Sequence, residues 1–229
     1  MVSKKLKIVN LTFNIWTDRE FSQESPRPLF HLKITCCFRL HGSKLTRLCL
    51  NKMISISVST LATIKSHCAS LTVLEIHVDK IISETDTLEQ ALEAGEAAQM
   101  TRLKSLKVGG SVNSGDILTF LVSGCPNLQI LCFTPFAYQG EINDDFIVNL
   151  FRRYPCPKLE VFCFEKCILT EQTFFHLLET MSKVRFIGNM GEWTMDRRAR
   201  LGIRAFIKGN NINVDIESLY CNYDFDVYF

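Results

Sequence analysis

Residues 125–133 read Cys-Pro-Asn-Leu128-Gln-Ile130-Leu131-Cys132-Phe133, and the spacing of their apolar side chains decides the fold. An aliphatic residue is followed by two free positions, an apolar residue, one free position and a further apolar residue. In an extended chain Leu131 and Phe133 then point to one face, while Ile130 and Cys132 point to the other. The same pattern returns as LKIVNL at Leu6, LFHLKI at Leu29, LTRLCL at Leu45, LTVLEI at Leu71, LKSLKV at Leu103 and LEVFCF at Leu159. A degraded copy, VRFIGN, follows at Val184.

Starts at 6, 29, 45, 71, 103, 128, 159 and 184 lie 16 to 32 residues apart. Most intervals fall within or just above the span of about 20–29 residues typical of leucine-rich repeats, whose strand signature this is. Helical spacing follows most copies. Val58, Leu61, Ile64 and Cys68 recur at steps of three and four, which is one buried helix face. Further helices are expected over 84–100, from Ser114 to Val122, after Asn143, after Thr170, and from Trp193 to Lys208 with a stop at Gly209. Strand and helix in alternation predict one domain over 1–229, an α/β right-handed horseshoe. Its parallel sheet lines the concave face and its helices the convex face, with residues from about 193 onward closing the end. Two stretches depart from the rhythm. Residues 16–28 hold Pro26 and Pro28 and read as a loop, and the short unit 29–44 reads as a strand with a tight return, extended at Cys36 to Leu40.

Bulk properties exclude several function classes. The 26 basic and 24 acidic side chains leave a net charge of +2, which argues against a nucleic-acid partner. The apolar runs are too short to cross a bilayer, so no membrane association is expected. Residues 6–13 alternate as a strand does, unlike the core of a secretory leader, so an intracellular protein, cytoplasmic or nuclear, is expected. The ten cysteines fall mostly at repeat positions and read as reduced and structural. No HExxH, paired CxxC, GxSxG or phosphate-loop motif occurs, so no enzyme activity, metal or cofactor is expected.

Between helix and strand three units carry a further signature: Ser66-His-Cys68-Ala-Ser-Leu71, Ser123-Gly-Cys125-Pro-Asn-Leu128 and Tyr154-Pro-Cys156-Pro-Lys-Leu159. Together with the strand pattern, and with Cys167 closing a strand segment, residues 29–190 resemble the cysteine-containing repeats of F-box/leucine-rich-repeat proteins. That resemblance implies a substrate-recognition subunit of a cullin-RING ubiquitin ligase, with ubiquitin-ligase subunits among its partners. The F-box expected ahead of such repeats has no counterpart before Leu6, so the expectation is a fragment or a divergent member. The competing expectation is a leucine-rich-repeat scaffold or regulator unconnected to ubiquitin.

Alternation also sorts the predicted concave face into columns. One runs Ile8, His31, Arg47, Val73, Ser105, Ile130, Val161, Phe186, the next Asn10, Lys33, Cys49, Glu75, Lys107, Cys132, Cys163, Gly188, and a third Thr12, Thr35, Asn51, His77, Gly109, Thr134, Glu165, Met190. Ile130, Cys132, Val161, Cys163 and Phe186 make an apolar half, with Lys107 at its polar edge. Two readings fit: a docking patch for a protein partner, or a surface covered by Trp193, by the aromatic and acidic tail 220–229, or by more of a longer protein. The tail itself reads as a closing strand or as a docking segment. Arg197, Arg198, Arg200 and Arg204 form one basic cluster, read as a solvated helix face or a phosphate contact.

Overall fold

Every copy of the pattern from Leu45 onward opens a strand in the computed structural model, which describes residues 35–53, 55–82, 99–110 and 115–216. The strands of the main sheet are β1 (Arg47–Met53), β2 (Val73–Val78), β3 (Ser105–Gly110), β4 (Ile130–Pro135), β5 (Val161–Phe164) and β6 (Phe186–Gly188), and short segments pair beside it, Ile56–Ser57 with Ile81–Ile82 and Gln139–Asn143 with Cys167–Ile168. The strands β1 to β6 form one six-stranded sheet, and their order in space is their order in the chain. All neighbours run parallel, so each return passes through a connection outside the sheet. Besides a helical stretch over 35–41, the helices are α1 (Val58–His67), α2 (Gly115–Val122), α3 (Asp144–Arg153), α4 (Glu171–Thr180) and α5 (Arg197–Gly209).

Register follows the pattern. Leu48, Leu74, Leu106, Leu131, Phe162 and Ile187 stand side by side across the sheet. Leu50, Ile76, Val108, Phe133 and Phe164 form the next row. Both rows are buried, and helix residues such as Leu61, Ile64, Leu118, Ile147, Phe174 and Leu177 complete the same core. Toward the C-terminal end the core becomes aromatic. Phe162 stacks on Phe164 with ring centroids 4.2 Å apart, and Trp193 meets Phe162 edge-on at 6.3 Å while its Nε1–H donates to the Phe164 carbonyl at 2.9 Å.

One turn recurs at every strand entrance. The carbonyls of Gly42, Cys68, Met100, Cys125, Cys156 and Met181 accept the N–H of the apolar residue three positions on, from Leu45 to Val184. The cysteines noticed in the sequence thus share their position with two methionines and a glycine, all six of them buried. A small side chain is needed at the first: a Cβ on Gly42 would lie 2.7 Å from the Cys68 sulfur. At this position a thiol acts as a small apolar group with a weak donor, and Cys125 donates to the Leu121 carbonyl at 3.3 Å.

Burial shows in the thiol acidities. It pushes Cys68 from its ordinary 9.0 up to about 12, Cys156 also to about 12, and Cys125 to about 11 against the nearby charge of Lys65. The folded thiols hold their protons where an unfolded chain releases them. Their stabilising contribution is therefore fully present below pH 9, the unfolded value, and is lost as pH rises through 9 toward 11 and 12. Urea midpoints should fall between about pH 8 and about pH 10, and a Cys68→Ala, Cys156→Ala chain should show a shallower fall. Equal slopes for the two chains would place these thiols in solvent.

Helix starts are held by side-chain oxygens. Ser57 accepts from Thr60 N, Asn143 from Phe146 N, Thr170 from Gln172 N and Asp196 from Ala199 N. Asp144 goes further and caps the neighbouring helix. Its carboxylate accepts four hydrogen bonds, from the N–H and hydroxyl of both Thr170 and Thr173, at 2.5 to 3.2 Å. Asp144→Ala removes them all and should cost about 2 kcal/mol, the upper end for a lost cap. Asp144→Asn should cost less in the same urea titration, because its amide oxygen still accepts. Lys65 links α1 to the end of α2: it is buried, and its Nζ donates to the Phe120 carbonyl at 2.6 Å and to Ser123 Oγ at 2.5 Å. A cation is favoured there because helix carbonyls gather at that terminus.

Several expectations are corrected. Residues 35–41 are helical, not extended from Cys36 to Leu40, and this places Phe38 in the core, with Leu40 in solvent. The last helix begins at Arg197 behind its Asp196 cap, so Trp193 precedes it as a buried core residue. Met190 leaves the strand face, because Asn189 adopts φ +60° and turns the chain, and Met190 then joins the core. The copies at Leu6 and Leu29, residues 84–98 of the helix expected over 84–100, and the tail 220–229 lie outside the described residues.

Candidate recognition surface

The sheet face turned away from the helices carries the alternate residues of each strand. Ile130, Val161 and Phe186 are register partners in one row, and Cys132, Cys163 and Gly188 in the next. Their side chains come together as expected, in one apolar cluster of Ile130, Cys132, Val161, Cys163 and Phe186. None of the five is more than 8% exposed, in keeping with the second of the two readings, a covered surface. Part of the cover is local. A Cβ on Gly188 would lie 2.5 Å from the Phe186 ring and 3.2 Å from the Cys163 sulfur, so the ring fills the space that glycine leaves. Asn189 Nδ2 also donates to Cys163 Sγ at 3.3 Å. No disulfide joins any two of the nine described cysteines, the register neighbours Cys132 and Cys163 included.

The accessible part of this face is its polar half. Glu75 stands between Cys49 and Lys107 in register. Its Oε1 lies 3.3 Å from Lys107 Nζ and 3.3 Å from Arg47 Nη2, and Oε2 accepts from the Cys49 thiol at 3.4 Å. Two cations thus share one carboxylate, with Lys107 partly exposed. Burial, with Glu75 adding to it, pushes the Cys49 thiol above its ordinary value against the opposing effect of Arg47.

One step along the strands, Gly109 lies between His77 and Thr134 in register. A Cβ there would meet His77 Nδ1 at 2.6 Å and Thr134 Oγ1 at 2.8 Å, so imidazole and hydroxyl close over the glycine. Burial lowers the His77 pKa below its ordinary 6.5, opposed by Asp79, which favours the neutral ring at pH 7. Beyond the strand end Phe136 is half exposed and meets His77 edge-on, with centroids 5.1 Å apart. Tyr138 is 54% exposed on the same loop, with its hydroxyl on the Glu192 carbonyl at 3.2 Å. Lys166 Nζ donates to the Phe136 carbonyl at 3.1 Å and holds the loop.

Of the residues singled out in the sequence, Lys107 alone belongs to this accessible group. The columns did align Glu75 with Lys107 and His77 with Thr134, so their proximity was readable there. Phe136 and Tyr138 fall beyond the strand pattern and left no such trace. Among the described residues no group of three His, Cys, Asp or Glu side chains is placed to hold a metal ion. No helix among them is long and apolar enough to cross a membrane.

No family model matches the chain, and no curated protein matches it. A solved structure similar to it is a structural-genomics target from Bacteroides fragilis, at 13% identity and a TM-score of 0.42. The match covers 81% of this chain, and this chain spans 60% of that one.

Proposed function

We propose that the chain is a leucine-rich-repeat solenoid that works as a protein-recognition module, holding its partner on the concave face of the sheet. The recurring unit supports the fold reading: one turn and one pair of inward residues per strand, in strictly sequential order. The observation that carries the functional reading is the half-exposed Phe136 edge-on to His77, one step along the strands from the Glu75–Lys107 pair. An aromatic anchor beside a partly buried charge network is the usual make-up of a protein-binding centre. The partner binds there without a reaction. The buried cysteines at the strand entrances fit reduced, structural thiols and so an intracellular setting.

The buried cysteine turns at Cys68, Cys125 and Cys156 favour the ubiquitin-ligase branch of this proposal, as these are the positions that carry the resemblance. A scaffold or regulator unconnected to ubiquitin is the second reading. Both are tested by affinity capture with the tagged chain. Phe136→Ala should reduce capture of the specific partner about tenfold or more, and Lys107→Glu several-fold with a change in salt dependence. Capture indifferent to both variants, with circular dichroism unchanged, removes the partner from this face. Co-purification of the cullin adaptor supports the ligase branch, and a partner captured without it supports the scaffold.

A further inference from the structure

Helix α5 presents a face that nothing in the concave-surface reading uses. Its sequence, Arg-Arg-Ala-Arg-Leu-Gly-Ile-Arg-Ala-Phe-Ile-Lys-Gly, holds five cations and no acid. At about 100° per residue, Arg197, Arg204 and Lys208 fall within about 40° of one another, and Leu201 lies beside them. All four are exposed, Leu201 by 54%. Ile203 and the partly buried Ala199 and Ile207 turn the opposite side into the core. Among the described residues none of Arg197, Arg198, Arg204 or Lys208 takes part in an ion pair. Gly202 adds a second irregularity. It lies in mid-helix with nothing within 4 Å of a Cβ built on it, so no neighbour within the chain calls for a glycine. Glycine inside a helix is unfavourable unless something needs close approach to the backbone.

We propose that the outer face of α5 is a second interaction surface, and that its occupant is an acidic protein segment with an apolar side chain seated on Leu201 and backbone close to Gly202. Charge complementarity sets the sign of the partner: unpaired cations along about 16 Å of helix fit a row of carboxylates. Leu201 decides its class. A phosphate backbone gains nothing from an exposed leucine, whereas a protein segment buries it inside a ring of charges. A lipid surface is disfavoured because Ala199, Ile203 and Ile207 pack on the core and Phe206, 38% exposed, meets Phe175 edge-on, which leaves Leu201 as the one large apolar group among the outward cations.

The test uses the full chain and a labelled synthetic amphipathic peptide of Glu, Ala and Leu, followed by fluorescence anisotropy. Its Gln-for-Glu counterpart, a duplex DNA and phosphatidylserine vesicles serve as competing probes. Binding of the acidic peptide should weaken as salt is raised. It should fall about tenfold or more in the Arg197→Glu, Arg204→Glu chain and several-fold in Leu201→Ser. Gly202→Leu, whose side chain enters open space, should keep the circular dichroism of the parent and also weaken the peptide. Lys107→Glu should leave this binding unchanged, which separates the surface from the concave one. Tighter binding of DNA or vesicles than of the acidic peptide would overturn the assignment. Equal binding of the Gln peptide, or peptide binding indifferent to the charge reversal, would do the same.

Discussion

Leu131→Asp is expected to yield no folded chain. Leu131 is fully buried, lies between Leu106 and Phe162 in register, and belongs to the continuous core. Removing a buried leucine side chain alone costs about 2–5 kcal/mol. The carboxylate adds several kcal/mol more, because no cation stands in that row to pair with it. The sum rivals the whole stability of a typical domain, about 5–15 kcal/mol. Soluble yield, far-ultraviolet circular dichroism and a urea titration check it. Leu131→Met, which conserves volume, should cost less than about 1.5 kcal/mol and keep a cooperative transition. A cooperative Leu131→Asp chain with an unchanged midpoint would put Leu131 on the opposite face of β4.

Gly110→Ala should be nearly as damaging, although it adds a single methyl group. Gly110 has φ +98°, a conformation other residues adopt only under strain of about 1–3 kcal/mol. A Cβ there would also lie 1.8 Å from the backbone oxygen of Val78, its register partner on β2. No side chain can move aside to relieve that approach, so β2 and β3 must part at their ends. We expect a loss of about 3 kcal/mol or more, read as a lower urea midpoint with an unchanged slope. The same substitution at Gly202 should have the opposite sign, stabilising by about 0.5–1 kcal/mol, since that position is helical and open. If both variants moved the midpoint alike, backbone geometry would not be the cause.

The sheet was legible because its pattern has a strict period. Alternation assigns each side chain a face, and aligning the copies on Leu48, Leu74, Leu106 and Leu131 aligns the strands in space. The columns drawn from the letters are therefore the observed register rows from Arg47 as far as Gly188. They fail at Met190, because the left-handed turn at Asn189 ends the alternation one residue earlier. They also fail on exposure. A column says which way Ile130 and Val161 point, but not that Phe186 folds over Gly188 and helps to cover their cluster. The recurring entrance turn was half visible: Cys68, Cys125 and Cys156 share a letter, while Met100, Met181 and Gly42 share only the geometry. The helix over 35–41 was missed because Cys36 to Leu40 was read by strand spacing.

Sequential strand order has a mechanical meaning. Within the six-stranded sheet each strand bonds only to the strand before it and the strand after it in the chain, and none is inserted between strands distant in sequence. Tension applied to β1 and β6 meets no interior strand that must shear before its neighbours let go. An edge strand peels away, the next becomes the edge, and the process repeats. Each release frees one unit of 25 to 32 residues, or about 80–110 Å of extended chain. Under load such a sheet pays out length in stages, like a ratcheted tether, where a sheet with a central strand threaded between distant neighbours would hold and then fail at once.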